Sequence, residues 1–382
     1  MHEEHFIITA SRLSLVEEDI VLLKESSQKI DNWESIIQVA VMHGVAPLIY
    51  YTIKTYGLSN LLPSNIFDQF KKIFFTTVSI NLKLLQLLDK VALLSDEKLV
   101  LLKGMDLVES LYPNIGVRSM CDIDILVERQ KAAIVFDRIL EGSRNEHVVI
   151  YSEGISKSSV HKKLELKNVM HLPSLGFKNG TIEIHPNLFN QDKFYHVTEK
   201  AWASIVPSKG RMNVYRLSNE FMLLHLCTHF YGHSQGYILL RMLCDINELI
   251  LKYSDTLQWE EIREFCKNPD FNIGITTALS YTFIYFKTQI PQEFLIDDIV
   301  RNTPKSLLKL YSGIPDDRQN PLKQLLTDFH TLNSLHDKIL YLYRTIVPEQ
   351  QWIRSCYSSE KKGGVMLSYI RYWNAHKKDI FL

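Results

Sequence analysis

The segment 122–127 (DIDILV) carries aspartates at two alternate positions, Asp122 and Asp124. Two carboxylates at this spacing could take part together in a reaction. If this segment is a β-strand, both carboxylates point to the same face of a sheet, roughly 6–7 Å apart along the chain. Carboxylate oxygens, with the phosphates of a substrate, are the ligands that Mg²⁺ prefers. Two such cations can activate an attacking hydroxyl and stabilise a leaving pyrophosphate. The pair alone also fits the solvated face of an ordinary strand, so its neighbours decide between the two interpretations.

Basic and small residues upstream of the pair are suited to phosphate. Lys103 and Gly104 lie between a predicted strand and a predicted helix, where backbone N–H groups at a helix N-terminus can meet a phosphate. Arg118 lies on the loop just before Asp122, and a guanidinium there can hold phosphate oxygens. These residues favour a site for a metal-bound nucleotide.

A second alternating segment, 181–185 (TIEIH), supplies a third carboxylate in Glu183. His185 follows on the same strand face, because residues two apart in a strand point the same way. Two interpretations of His185 stay open, a contact to phosphate or acceptor and an ordinary hydrogen-bonded strand histidine.

The pattern along the chain predicts a mostly helical α/β (α+β) protein with a small mixed sheet. Strands are expected at 99–102, 122–127, 147–151, 162–166 and 181–186, and helices between them at 105–111 and 129–140. Helix starts are expected at Ser14 with Glu17, Asp31 with Glu34, Ser64 and Ser218. The predicted division is a helical region at 1–95, a core at 96–210 and a helical region at 211–382.

The ordered set of motifs resembles the uncharacterised nucleotidyltransferase family of bacteria, within the polymerase-beta-like nucleotidyltransferase superfamily. The core of the resemblance is LLKG at 101–104, Arg118, DIDILV at 122–127 and IEIH at 182–185. It extends to Trp33 with AVMHGVAPL at 40–48, to LLHLCTH at 223–229 and to Asp245. It covers most of residues 30–250.

The resemblance implies a nucleotidyltransferase-type core that moves a nucleoside monophosphate from an NTP, with ATP expected, to an acceptor hydroxyl or phosphate. It implies Mg²⁺ or Mn²⁺ as cofactor, bound by the catalytic carboxylates Asp122, Asp124 and Glu183. It also implies nucleotide contacts from Lys103, Gly104, Arg118 and His185. The acceptor is open among a small molecule, a peptide, a protein and an RNA end.

One departure from the superfamily pattern favours a second hypothesis. The usual Gly-Ser at the first helix is here Gly104-Met105, which lacks the serine hydroxyl that often touches the phosphates. A catalytically inactive nucleotide-sensing or interaction module on the same fold is therefore the alternative. The three carboxylates oppose it, because clustered buried negative charges are costly without a cation.

Two further features carry several interpretations each. His225, His229 and His233 are spaced four apart on one helix face, which fits a polar stripe facing the sheet, a substrate contact or a zinc hydrolase site. Residues 338–382 carry 8 Lys/Arg against 3 Asp/Glu among aromatic residues. That composition fits a solvated helix pair, an acceptor or single-stranded nucleic-acid surface, or attachment to an anionic membrane.

The amino-acid composition excludes several classes of protein. The 382 residues carry 43 basic and 43 acidic side chains, and this neutrality argues against a nucleic-acid coat protein. Only 15 glycines and 12 prolines exclude collagen-like and Pro/Gly-rich disordered chains. Five scattered cysteines without a CxxC pair argue against a disulfide framework or a zinc finger. With no signal-peptide pattern and no apolar run of membrane length, we expect a cytoplasmic protein without a transmembrane segment.

Overall fold

The computed structural model describes residues 2–144, 146, 148–151, 171–189, 194–233, 239–302, 334–350, 353 and 365–375. These residues form fifteen helices and one mixed seven-stranded sheet, which confirms the predicted α+β class. The helices are α1 (His2–Ala10), α2 (Glu17–Ser27), α3 (Trp33–Met42), α4 (Ala46–Thr55), α5 (Ser64–Leu94), α6 (Lys103–Ser110), α7 (Ala132–Gly142), α8 (Tyr195–Ala203), α9 (Asn219–His233), α10 (Leu240–Lys252), α11 (Trp259–Cys266), α12 (Pro269–Phe286), α13 (Asp297–Asn302), α14 (Leu335–Ile346) and α15 (Val365–Ala375). The strands are β1 (Leu99–Leu101), β2 (Asp122–Leu126), β3 (Val149–Tyr151), β4 (Ser174–Phe177), β5 (Gly180–His185), β6 (Val206–Pro207) and β7 (Val214–Arg216).

The order of strands across the sheet is β3-β4-β5-β2-β1-β7-β6. β2 is central, antiparallel to β1 and parallel to β5. Along the chain, β3 and β4 of the same sheet come between β2 and β5. β1 also pairs in parallel with β7, and the outer pairs are antiparallel. The two segments with alternating acidic residues therefore lie side by side in the middle of the sheet.

The two faces of β2 differ in chemistry. Ile123 and Ile125 point into a core that also holds Ile182 and Ile184 of β5. Because side chains alternate along a strand, the acidic residues between these isoleucines point to the opposite face. The apolar positions thus fix which way the carboxylates face.

The 31-residue helix α5 connects two hydrophobic cores. Its first turns bury Phe70 and Phe74 in the larger core, which the N-terminal helices share with α9, α10 and α12. Its last turns bury Leu84 and Leu88 in the smaller core beneath the sheet. The N-terminal helices consequently pack directly against the helices that follow the sheet.

Several predicted elements are confirmed and others differ. The helix starts at Ser64 and Ser218 are confirmed, and the Ser218 hydroxyl accepts the Phe221 N–H at 3.3 Å. The predicted cap at Ser14 is wrong: α2 begins at Glu17, and the Asp19 carboxylate accepts the Val16 N–H at 3.2 Å. The same Asp19 carboxylate also pairs with Arg12 at 3.0 Å, and this ion pair helps to hold it at the start of the helix.

The sheet is larger than its sequence pattern suggested. Strands β4, β6 and β7 were not predicted, because they are short and lack clear alternation. β7 lies past residue 210, beyond the predicted border of the core, and the three-part division stays a prediction. The strand expected at 162–166 lies outside the described residues.

The C-terminal helices α14 and α15 contact each other through aromatic side chains. The hydroxyl of Tyr372 donates to the Thr345 carbonyl at 2.5 Å, and the Trp373 indole donates to Ile346 at 2.8 Å. Carbonyls at the end of α14, which lack partners within the helix, are satisfied in this way. The described part of the tail is therefore a helix pair.

No single helix in the described ranges combines the length and apolarity of a membrane span. In the same ranges, α3 and α4 pass such a test as a pair, with a 118° bend between them.

Candidate functional site

The register of β2 and β5 brings two of the predicted carboxylates together. Asp124 lies opposite Glu183 and Leu126 lies opposite His185 in the parallel pair. Ligand atoms of Asp124, Glu183 and His185 all lie within 4.8 Å of one another. Carboxylate and imidazole groups at this spacing can hold a divalent cation.

Asp124 is the buried centre of this group. Its Oδ1 accepts hydrogen bonds from Lys103 Nζ and from His185 Nε2, both at 2.9 Å. Burial opposes its ionisation, but His185 and Lys103 outweigh burial and lower the pKa of Asp124 below its usual range. Burial also lowers the pKa of His185, which keeps the ring in the neutral form that metals bind.

Lys103 reaches Asp124 through an unusual backbone. The Leu102 N–H donates to the Asp124 carbonyl at 3.1 Å, and the chain then turns at Lys103, with φ of 45°, into α6. A non-glycine residue in the left-handed region costs of order 1 kcal/mol or more. The ion pair with Asp124 offsets this cost, and the turn places the ammonium over the carboxylates.

Asp122 lies outside the three-residue group but interacts with it. It is half-buried on the same strand face as Asp124. Burial raises the pKa of Asp122, and the charges of Asp124 and Glu183 raise it further. The strand thus places the two predicted aspartates together, with opposite pKa shifts.

Glu183 has partners that sequence reasoning missed. The Ser174 hydroxyl donates to its Oε1 at 3.1 Å, and His171 Nε2 lies 3.7 Å from its Oε2. The rings of His171 and His185 are 5.4 Å apart. No motif marks His171 or Ser174, because their closeness to Glu183 depends on the pairing of β4 with β5.

Arg118 lies beside the site but is bound by a carboxylate that the sequence did not predict for it. Its Nε and Nη2 donate to both oxygens of Asp245 at 2.8–3.0 Å, and Tyr112 donates to the same carboxylate at 2.7 Å. Burial acts against the Arg118 charge, but Asp245 outweighs it and raises the pKa of Arg118. Asp245 therefore neutralises Arg118 beside the site.

Gly104 lets this arginine approach the start of α6. A Cβ at Gly104 would lie 2.4 Å from Arg118 Nη1, which is too close for a side chain. Asn81 of α5 holds the loop from the other side, since its Nδ2 donates to the Arg118 carbonyl at 2.8 Å. Lys103, Gly104 and Arg118 therefore lie close together, and their predicted contacts with phosphate stay a prediction.

His225 of α9 borders the site. Its side chain is buried, and neither ring nitrogen has a hydrogen-bond partner of normal geometry among the described residues. Burial lowers its pKa to about 3, and the charge of Lys103 contributes. Its ring lies 6.1 Å from that of His229.

A zinc site on this helix finds no third ligand in the described residues. The group of Asp124, Glu183 and His185 is the one such cluster there, and it excludes both His225 and His229. The helix thus faces the carboxylate site with a neutral imidazole.

Comparison with protein families gives one match. A sequence model of the family described as "Uncharacterised nucleotidyltransferase" matches residues 30–287, more than half of the chain. The match contains every site residue discussed above. No curated protein and no solved structure matches the chain. The chain belongs to the uncharacterised nucleotidyltransferase family.

Proposed function

We propose that this protein is a divalent-metal-dependent nucleotidyltransferase. It transfers a nucleoside monophosphate from an NTP, with ATP expected, to an acceptor hydroxyl or phosphate and releases pyrophosphate. The observation that carries the proposal is the cluster of Asp124, Glu183 and His185, with ligand atoms within 4.8 Å of one another on adjacent central strands.

The donor set fits a divalent cation. Asp122, Asp124 and Glu183 bring three carboxylates to one face, and the neighbouring Arg118 is already neutralised by Asp245. Lys103 alone cannot balance three negative charges, and clustered carboxylates repel one another. Asp124, Glu183 and His185 would hold the ion, with Asp122 beside them. Bound there, Mg²⁺ or Mn²⁺ supplies charge stabilisation to a reacting phosphate.

The other residues of the site have roles that follow from their positions. Lys103 neutralises Asp124 and presents its ammonium at the start of α6, where phosphate oxygens also meet backbone N–H groups. Gly104 leaves the room beside that helix start which the Arg118 side chain occupies. Glu183, the least buried member of the metal cluster, is the base that we propose for the proton of the acceptor.

A panel of four NTPs labelled at the α-phosphate tests this function. Each is incubated with the protein, Mg²⁺ or Mn²⁺, and cell extract, and mass spectrometry identifies what gains a nucleotide. We expect transfer by the wild type and by Asp255→Asn, an exposed control, and none by Asp124→Asn. Transfer by Asp124→Asn at the wild-type rate contradicts the proposal.

The same experiment separates the alternative of an inactive nucleotide-sensing module. Met105 is buried in the core below the sheet, so position 105 presents no group to a phosphate. Metal-dependent ATP binding without transfer to any acceptor in a small-molecule, peptide, protein or RNA fraction would support that alternative.

A further inference from the structure

Two arginines lie at the loop that leads into β2, and they differ in their partners. Arg118 donates to both oxygens of Asp245, and its side chain is 9% exposed. Arg241, from the first turn of α10, makes no ion pair with any carboxylate of the described residues. Its Nη1 donates to the carbonyl and hydroxyl oxygens of Ser119 at 3.2 and 3.3 Å. One of the two guanidinium groups is thus neutralised and the other is not.

The surroundings of Arg241 make its charge costly. Its Nε is buried and has no hydrogen-bond partner within the described ranges. Burial lowers the pKa of Arg241, and the like charge of Arg118 lowers it further, against the weaker effects of Asp245, Cys121 and Asp122. A buried cation without a paired anion is unfavourable, and an incoming anion would relieve that cost.

The N-terminal region holds Arg241 in place. The His43 carbonyl accepts the Arg241 N–H at 3.2 Å, and His43 Nδ1 accepts the Leu240 N–H at 3.3 Å. Gly44 follows with φ of 69°, and a Cβ there would lie 3.1 Å from Arg241 Cδ. The turn between α3 and α4 therefore packs against the arginine's aliphatic stem and the first turn of its helix.

Arg241 lies near the Asp122 end of the acidic site. Its guanidinium donates to Ser119, which precedes Asp122 on the same loop, and it lies close enough to the Asp122 charge to interact with it. The side chain of Arg118, from the same loop, lies against Gly104 at the start of α6. A polyphosphate chain whose reacting phosphate lies at the metal cluster would find a guanidinium at this end.

We propose that Arg241 binds the polyphosphate chain of the nucleotide substrate at the Asp122 end of the metal cluster. This inference rests on the proposed nucleotidyltransferase function and adds a binding residue from α10. The planar guanidinium offers a fork of donors that matches phosphate oxygens, which lysine does not. His43 and Gly44 are positioning residues for that fork.

Titration calorimetry of the full chain tests the proposal with three probes: Mn²⁺ alone, Mn²⁺ with ATP, and Mn²⁺ with inorganic tripolyphosphate. For Arg241→Gln we expect unchanged affinity for Mn²⁺ alone and a roughly ten- to hundred-fold loss for ATP and tripolyphosphate. Arg241→Lys should fall between this variant and the wild type. Arg263→Gln, which alters an exposed arginine on α11, is the matched control and should bind like the wild type.

Three results would overturn the inference: wild-type tripolyphosphate affinity in Arg241→Gln, an equal loss of Mn²⁺ binding, or full affinity in Arg241→Lys. If Arg241→Gln does not fold, Arg241→Lys still decides, because it keeps the charge and removes the fork. Failure of the proposed function differs in outcome, since the wild type itself would then transfer no nucleotide in the labelled-NTP assay, whether or not it binds ATP with Mn²⁺. In that case tripolyphosphate binding alone still reports on Arg241.

Discussion

Asp245 on α10 accepts three hydrogen bonds from Arg118, which lies 127 residues earlier in the chain. The pair is almost fully buried and joins the loop before β2 to the helices that follow the sheet. Tyr112 donates to the same carboxylate and completes its hydrogen bonding. The loop that leads into β2 and Asp122 is therefore held in place by α10, which comes much later in the chain.

Removing one partner of this pair should destabilise the protein strongly. We expect Asp245→Asn to lower the free energy of unfolding by about 3 kcal/mol, because it leaves Arg118 buried without a counter-charge. Guanidinium denaturation measures the change. The control is Glu260→Gln, which breaks an exposed pair with Arg263 and should cost under about 1 kcal/mol. Equal losses in the two variants would mean that burial adds nothing to the Arg118 pair.

The two aspartates of β2 should respond oppositely to neutralisation in the metal-free protein. Asp122→Asn should raise the melting temperature, because burial and the charges of Asp124 and Glu183 already oppose ionisation there. Asp124→Asn should lower it, because that carboxylate holds Lys103 and His185. The sign follows from linkage: a raised acid pKa costs stability above the unfolded pKa, whereas a lowered one contributes stability there.

Thermal melts at pH 7 with a chelator, together with transfer assays, check this pair of variants. Both variants should lose metal-dependent transfer, because Asp124 belongs to the metal cluster and Asp122 lies beside it. A shift of the same sign in the two melts would contradict the assigned surroundings. Retained transfer in either variant would contradict the catalytic assignment of that residue.

Glu248 of α10 should make stability depend on pH. Its carboxylate accepts the Leu13 N–H at 3.2 Å and the Asn247 amide at 3.0 Å, and burial raises its pKa to about 7. The folded state therefore holds a proton that the unfolded state has lost, and stability should fall as pH rises from about 4.5 to about 7.

Glu248→Gln should remove this dependence while keeping an oxygen that can accept both hydrogen bonds. At pH 8 we expect the variant to be more stable than the wild type by about 1–3 kcal/mol, and at pH 4.5 to be equal to it. Urea denaturation at both pH values measures the difference. A constant difference across this range would show that Glu248 does not titrate as proposed.

His225 should destabilise the folded state of the ligand-free protein. Because neither ring nitrogen has a hydrogen-bond partner of normal geometry in the described part of the chain, His225→Leu should leave the free energy of unfolding unchanged or raise it by about 1 kcal/mol. The same variant should reduce transfer, because a neutral imidazole facing the metal cluster would be lost. Denaturation and the labelled-NTP assay measure the two effects. Lower stability with wild-type transfer would instead indicate a packing role.

The local pattern of the sequence determined which residues share a face. The alternation in 122–127 and 181–185 predicted two strands, and these formed with Asp122, Asp124 and Glu183 directed away from the isoleucine core. The sequence also predicted helix starts at Ser64 and Ser218, and helices begin at Ser64 and directly after Ser218. Such features follow from the residue period and from caps within a few positions, so a single sequence contains them.

The tertiary structure alone decided which partner each side chain found. The register of β2 with β5 put His185 rather than Asp122 into the three-residue group, and β4 brought His171 to Glu183. Arg118 pairs with Asp245, and Arg241 pairs with no carboxylate of the described residues. These choices depend on how distant helices and strands pack, and sequence spacing carries no measure of that distance.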